Sequence, residues 1–162
     1  MITLPILILA IVLFAWKEAL DDARAIAESN KTGKPFTHDD PDRYIVAGVF
    51  TLIMAGFAQT WWALLYFPIT WAVFTISFRF LLNRKRCMDW RYISPSNVYD
   101  WRFLWLCGFR GRASQVEHWN RSYRTYHGWW PKQVHRAGTI AYATEALLVL
   151  VPSITIYITK TL

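Results

Sequence analysis

The feature that most constrains the fold is an apolar run of 39 residues, Tyr44–Leu82, in which Arg79 is the only charged side chain. One helix crosses a bilayer with about 20 residues, so the run is long enough for two crossings. Aromatic residues and Pro68 lie near its middle, in residues 61–68. Trp and Tyr favour the headgroup layer and proline interrupts helix hydrogen bonding. The run therefore predicts a hairpin with its tip near Pro68, which could also start the second helix.

Two further apolar runs extend the prediction to four spans, at residues 2–16, 44–62, 66–82 and 139–159. The expected fold is all-α, a polytopic transmembrane helical bundle, with the whole chain, residues 1–162, as a single membrane domain. A chain of 162 residues with 54% apolar composition has room for one such bundle. Because the start lacks a basic region, the first span is expected to stay in the mature protein. Its helix should continue into polar residues and stop at Gly33.

Lysine and arginine set the orientation of membrane proteins. Residues 17–43 carry five of them and residues 79–137 carry twelve. A hairpin at residues 44–82 places both stretches on one side. We therefore expect cytoplasmic connections at residues 17–43 and 83–138, and both termini outside the cytoplasm. A bacterial inner membrane is the expected location.

The connection at residues 83–137 interleaves eleven basic residues with six tryptophans. Basic residues near a membrane are attracted to anionic headgroups, and tryptophan anchors in the interface. Within it, residues 98–108 predict a short interfacial helix, with Trp101, Leu104 and Trp105 at helical spacing and a stop at Gly108. Nucleic-acid or acidic-protein binding is the minor alternative, and no nucleic-acid partner is expected. The predicted lipid-binding residues are Arg84, Lys85, Arg86, Trp90, Arg91, Trp101, Arg102, Trp105, Arg110 and Arg112.

Part of this region carries a resemblance. The segments are Phe78-Arg-Phe-Leu-Leu-Asn83, then Arg86, Trp90-Arg-Tyr-Ile93 and Ser96-Asn-Val-Tyr-Asp100. Their succession resembles uncharacterised small integral membrane proteins of bacterial and phage genomes. The resemblance covers at most a third of the chain. It implies membrane location, with no known activity and no functional residue.

Candidate metal and redox sites have simpler interpretations. The acidic segment His38–Arg43 offers oxygen and nitrogen ligands, but Asp40, Pro41 and Asp42 suit the start of the following span, where acids are favoured. Four histidines are too few for a membrane di-iron site. Cys87 and Cys107 lack metal or redox spacing and are expected as free thiols. No metal or cofactor is therefore predicted.

Glu145 is the most informative single residue, because it lies six residues inside the last predicted span. A carboxylate at that depth is costly and should face protein or water, neutral or paired. The candidate partners are Tyr142, Gln59, Thr60 and Arg136. Proton relay, an ion pathway and subunit contact are the functional interpretations, and a hydrogen-bonded structural acid is the alternative. Pro152 is expected to kink the same helix.

Three functions compete. The first is a non-catalytic membrane subunit that docks on a larger assembly or forms homo-oligomers, and that binds anionic lipid through its basic segment. The second is a self-assembled, holin-like pore or transporter that uses Glu145 and the polar residues Gln59, Thr60 and Thr70. The third is a lipid-acting membrane enzyme, with acid–base candidates Glu117, His118, His127 and His135. The segment Arg121–His127 also loosely resembles the Arg…His pair of HEPN ribonucleases, but Ser122 departs from that pattern.

Overall fold

A computed structural model describes residues 3–33, 48–49, 63–93, 98–108 and 130–161. Four helices have described bounds: three long ones, α1 Thr3–Thr32, α2 Ala63–Lys85 and α4 Trp130–Thr161, and one short one, α3 Val98–Leu106. The described residues outside these helices include residues 48–49, which are helical, and turn residues after α2 and α3; none of the described residues is in a strand. This confirms the all-α prediction for that part of the chain. Nearly all of the predicted span 44–62, and the hairpin tip up to Trp62, lie outside the described residues.

Helix α1 runs from apolar into polar sequence without a break, as predicted. It ends at Gly33, where φ is 71° and the amide donates to the Ser29 carbonyl at 2.9 Å. Glycine suits this left-handed position because it has no Cβ. In the polar half, Lys17 contacts Glu18 and Asp21. The hydrogen bond to Glu18, then that to Asp21, raises the pKa of Lys17.

Two helices contain stretches long and apolar enough to cross a membrane, Leu65–Lys85 in α2 and Val134–Thr159 in α4. They contain the predicted spans 66–82 and 139–159. Length and composition alone would also fit buried core helices, but only 22% of the α4 stretch is buried. Pro68 lies in the second turn of α2 rather than at its start, because the helix begins at Ala63. Helix α4 continues through Pro152.

The chain forms two compact units. The bundle unit comprises Met1–Arg86 and Glu145–Leu162, and the connecting unit comprises Cys87–Thr144. Helix α4 contributes its first half to the connecting unit and its second half to the bundle unit. Each unit has its own buried core.

In the bundle unit, α1 and α2 run parallel. Leu7 and Ile11 share a buried cluster with Tyr66 and Ile69 near the start of α2. Farther along both helices, Phe14 and Phe74 place their ring centroids 5.6 Å apart. A second cluster joins Ala15 and Ala19 to Phe78 and Leu82. Residues farther along α1 contact residues farther along α2, so the two helices start at the same end of the unit.

The second half of α4 runs in the opposite direction to α2. Glu145 contacts Arg79 near the end of α2, whereas Ile156 packs with Tyr66 and Ile69 near its start. The polar half of α1 and the end of α2 at Lys85 therefore lie at one end of the bundle unit. The end of α4 lies at the other end.

The connecting unit is built around a separate apolar core. Tyr92 and Ile93, from the turn after α2, pack with Phe103 and Leu104 of α3 and with α4. The α4 side chains in this core are Val134, Ala137 and Ala141. Their spacing of three and four residues places them on one helix face. Helix α3 ends at Leu106, and the predicted stop, Gly108, follows two residues later with a φ of 87°.

Candidate functional site

Two buried charged residues in the described part of the bundle unit form an ion pair. Arg79 on α2 donates through Nη1 to Oε2 of Glu145 at 2.8 Å, and through Nη2 to Oε1 at 2.8 Å. The Arg79 side chain is 6% exposed and the Glu145 side chain is fully buried. The two parallel bonds match the planar fork of guanidinium to a carboxylate. The pair therefore joins α2 to α4 with fixed geometry and no net charge.

Neutralisation explains how these two residues can lie in so apolar a place. An isolated ion loses its hydration on burial, and the effective cost is several kcal/mol per ion. A bidentate partner restores much of that energy and occupies both carboxylate oxygens. The pair is a structural crosslink in which removal of either residue would leave the other as an unpaired buried charge.

Other polar side chains of the bundle unit are also buried or partly buried. Asn83 is 2% exposed, and Arg86 follows it at a partly buried position. Arg79 and Asn83 are four residues apart, which places them on one face of α2, and Arg86 lies just beyond the end of that helix. Asp22 of α1 is also buried in this unit. Toward the other end, the interior consists of the apolar cluster that contains Tyr66 and Ile69.

The partner of Glu145 was missed by sequence reasoning, which selected Tyr142, Gln59, Thr60 and Arg136. In the structure Arg136 is exposed and the Tyr142 hydroxyl donates to the Trp90 carbonyl at 2.9 Å. Gln59 and Thr60 lie outside the described residues. A signal was present, because Arg79 is the lone charge of the 39-residue apolar run. Two costly charges in separate apolar segments are best explained by pairing.

A second polar cluster lies in the connecting unit. The Asp89 carboxylate accepts the backbone N–H of Arg91 at 2.8 Å and its guanidinium at 3.1 Å. His135 of α4 places Nε2 3.7 Å from the same carboxylate. The hydrogen bond from Arg91 lowers the pKa of Asp89, with the charge of His135 as a smaller cause. The cluster holds the turn after α2 against α4.

Two more contacts hold this turn on α4. The rings of Trp90 and Tyr142 lie 5.1 Å apart. A Cβ added to Gly138 would lie 1.8 Å from the Arg91 carbonyl oxygen, so only glycine allows this close approach. His135, Gly138 and Tyr142 are spaced by three and four residues and share one face of α4. Residues 89–91 therefore lie along that face.

The predicted lipid-binding residues fall into three groups. Arg84, Lys85, Arg102 and Trp105 are exposed, as is Trp90. Arg91 is tied to Asp89 and lies 5.7 Å above the Trp90 ring, and Arg86 is partly buried. Leu104 is buried whereas Trp105 is 50% exposed, so these two do not share a face as their spacing suggested. Arg110, Arg112 and the side chain of Trp101 lie outside the described residues.

The candidates for catalysis and metal binding are only partly visible. Glu117, His118, His127 and the acidic segment His38–Arg43 lie outside the described residues. Among the residues that are described, no three His, Cys, Asp or Glu side chains are grouped to hold a metal ion. Cys87 is exposed and Cys107 half-buried, and both are free thiols. His135 is the one acid–base candidate whose surroundings are seen, beside Asp89.

No protein-family model, curated protein or solved structure matches this chain.

Proposed function

We propose that this protein is a non-catalytic integral membrane subunit with four spans, which docks on a larger membrane assembly and binds anionic lipid through its basic segment. The Arg79–Glu145 pair is the observation that carries the proposal. Its charges bind each other rather than a substrate or ion. The deepest polar group of the described bundle is therefore used to hold helices together.

Membrane insertion is supported by the surfaces of α2 and α4. Threonine hydroxyls on both helices donate to carbonyls of their own helix, including Thr75 to Trp71, Thr144 to Ile140 and Thr155 to Val151. In lipid, polar groups must be satisfied within the protein, and this back-bonding does so. Large apolar side chains of α4 are also exposed: Leu147, Leu150, Val151, Ile154, Tyr157 and Ile158. Hydrocarbon is a suitable surrounding for such a face.

The parallel arrangement of α1 and α2 supports the four-span topology. Two consecutive helices that start at the same end need a connection that returns from the end of the first to the start of the second. That connection contains the apolar residues 44–62, which are long enough to cross a bilayer. Four spans would place the basic connections on one side and both termini on the other.

The same pair weighs against a pore built on Glu145. Ion conduction needs polar groups that face a water-filled path and bind ions weakly enough to release them. Glu145 is fully buried, and both of its carboxylate oxygens accept bonds from Arg79. Thr70, another polar candidate for a pore, is buried and donates to the Phe67 carbonyl at 2.9 Å.

The proposed docking surface is the exposed ridge of α1. It consists of Ile6, Leu9, Leu13 and Trp16, each about half exposed and spaced by three or four residues. Such a ridge fits between the side chains of a neighbouring helix. Tryptophan is also enriched among the residues that contribute most to binding at interfaces. The partner would be another membrane-spanning helix.

Native mass spectrometry of the full chain, extracted in mild detergent from its own host, tests the proposal. A stoichiometric partner subunit is expected in the wild-type complex. The double variant Leu9→Ala/Leu13→Ala should lose it, because both side chains of the ridge are shortened without adding polarity. Leu147→Ala/Leu150→Ala removes equally exposed leucines from α4 and should retain it.

A solitary wild-type chain would contradict the docking function. Loss of the partner in the α4 variant alone would contradict the assignment of the surface to α1. A change in ion flux of reconstituted Glu145→Gln protein, with co-purification unchanged, would instead favour a pore.

A further inference from the structure

Helix α3 has two faces of different chemistry. Asp100, Phe103 and Leu104 are buried, at spacings of three and one residues. The exposed residues are Arg102, Trp105 and Leu106. They have the same spacing of three and one residues and lie on the opposite side of the helix. Leu106 is 65% exposed and Trp105 is 50% exposed. The helix thus presents an aliphatic and an aromatic side chain outward beside one arginine.

The rest of the connecting unit supplies a fixed base for this face. Phe103 and Leu104 anchor α3 in the core formed with Tyr92, Ile93 and α4. The helix ends at Leu106, and in the turn that follows the Gly108 amide donates to the Trp105 carbonyl at 3.0 Å. Trp105 and Leu106 therefore occupy the last turn of a helix that is held on its other side. Their exposure is a property of the packed unit.

The described surface of this unit is also basic. Asp89 is engaged by Arg91, and Asp100 is only 5% exposed. Arg102 and Arg136 remain exposed. Burial or pairing of the acids leaves positive charge at the surface, which complements an anionic layer.

We propose that α3 is an interfacial helix, seated in the anionic headgroup layer with Trp105 and Leu106 inserted between lipids and Arg102 at the phosphates. Tryptophan and arginine both favour this depth, since each combines an apolar body with a polar tip. Arg91 contributes little, because Asp89 already neutralises it. The proposal deepens the lipid-binding part of the function above and rests on its membrane location.

The test uses the full chain with Cys87→Ser and Cys107→Ser, reconstituted in vesicles. A single new cysteine, Leu106→Cys, carries an environment-sensitive fluorophore. The vesicles contain nitroxide-labelled lipid in phosphatidylcholine, either alone or mixed with phosphatidylglycerol. Asn30→Cys, exposed on the polar half of α1, is the matched control site.

Strong quenching and a blue-shifted emission at position 106 are expected in the phosphatidylglycerol vesicles, with several-fold weaker quenching in phosphatidylcholine alone. The control site should show neither effect. Arg102→Glu should abolish the difference between the two lipids while the emission at position 30 stays the same. Quenching at position 106 no stronger than at position 30 would overturn the proposal. Equal quenching in both lipids would contradict the assignment of anionic lipid as the partner. The same conclusion would follow if only added acidic protein or RNA, and not the lipid composition, changed the signal at position 106.

Flotation of the vesicles after an alkaline wash distinguishes failure of the proposed membrane location from failure of the proposed placement of α3. Protein that fails to float contradicts the membrane location on which the proposed function depends. Protein that floats but shows no quenching at position 106 contradicts the placement of α3 alone. Docking is read independently, from the partner seen in native mass spectrometry.

Discussion

At the scale of single residues, the free energy of unfolding should be most sensitive to substitutions in the Arg79–Glu145 pair. Arg79→Leu or Glu145→Leu leaves one buried charge without its partner, which typically costs about 3–5 kcal/mol. The double variant removes both charges and should recover much of the loss. Thermal unfolding in detergent, followed by fluorescence, measures the three variants. Arg84→Leu, an exposed arginine on the same helix, is the control and should change little. Single variants as stable as this control would show that the pair is not a crosslink.

Gly138 is the second sensitive residue. Alanine at this position would place its Cβ 1.8 Å from the Arg91 carbonyl oxygen, so residues 89–91 must move away from α4. We expect a clear fall in melting temperature and faster hydrogen exchange in residues 89–93. Gly48→Ala is the matched control, because nothing lies within 4 Å of a Cβ there. Equal behaviour of the two variants would contradict the close approach.

Asp89 makes the attachment of the same turn depend on pH. Its pKa is lowered from 3.8 in the folded protein, chiefly by the hydrogen bond from Arg91. The carboxylate therefore contributes stability above about pH 4, and this contribution is lost as pH falls through the lower folded pKa. Asp89→Asn should be less stable than wild type at neutral pH, with the difference shrinking in strong acid. Melting temperatures across pH measure it, with exposed Glu28→Gln on α1 as control. A difference that is constant with pH would contradict the ion pair.

At the scale of elements, α1 and α3 could be predicted from sequence because local signals determine them. The uninterrupted helix formers of α1 and the glycines at 33 and 108 act within a few residues. The partner of Glu145 could not be found in this way, because Arg79 is 66 residues away and only tertiary packing brings them together. For the same reason, spacing placed Leu104 and Trp105 together, whereas packing against α4 buries only the first.

The direction of the helices, in contrast, agrees with the topology predicted from sequence. Four spans that alternate in direction make residues 2–16 and 66–82 parallel, and residues 139–159 antiparallel to both. The paired contacts of Ile11 with the start of α2, and of Ala19 with its end, determine that they are parallel. Because the two helices are parallel, the connection between them must return from the end of α1 to the start of α2.

At the scale of the whole molecule, the parallel α1 and α2 and the antiparallel α4 predict which groups share a side of the membrane. Asn30→Cys on α1 and Lys85→Cys at the end of α2 should react with a membrane-impermeant maleimide from the same side. A cysteine appended after Leu162 should react only from the other side, because α4 ends opposite Lys85. The cysteine-free chain is the control, and each variant is labelled in intact and in opened cells. Sequence reasoning further assigns positions 30 and 85 to the cytoplasm, because positive residues are retained there. Labelling of positions 30 and 85 from opposite sides would contradict the parallel packing itself, whereas labelling of both from outside would contradict only the assigned orientation.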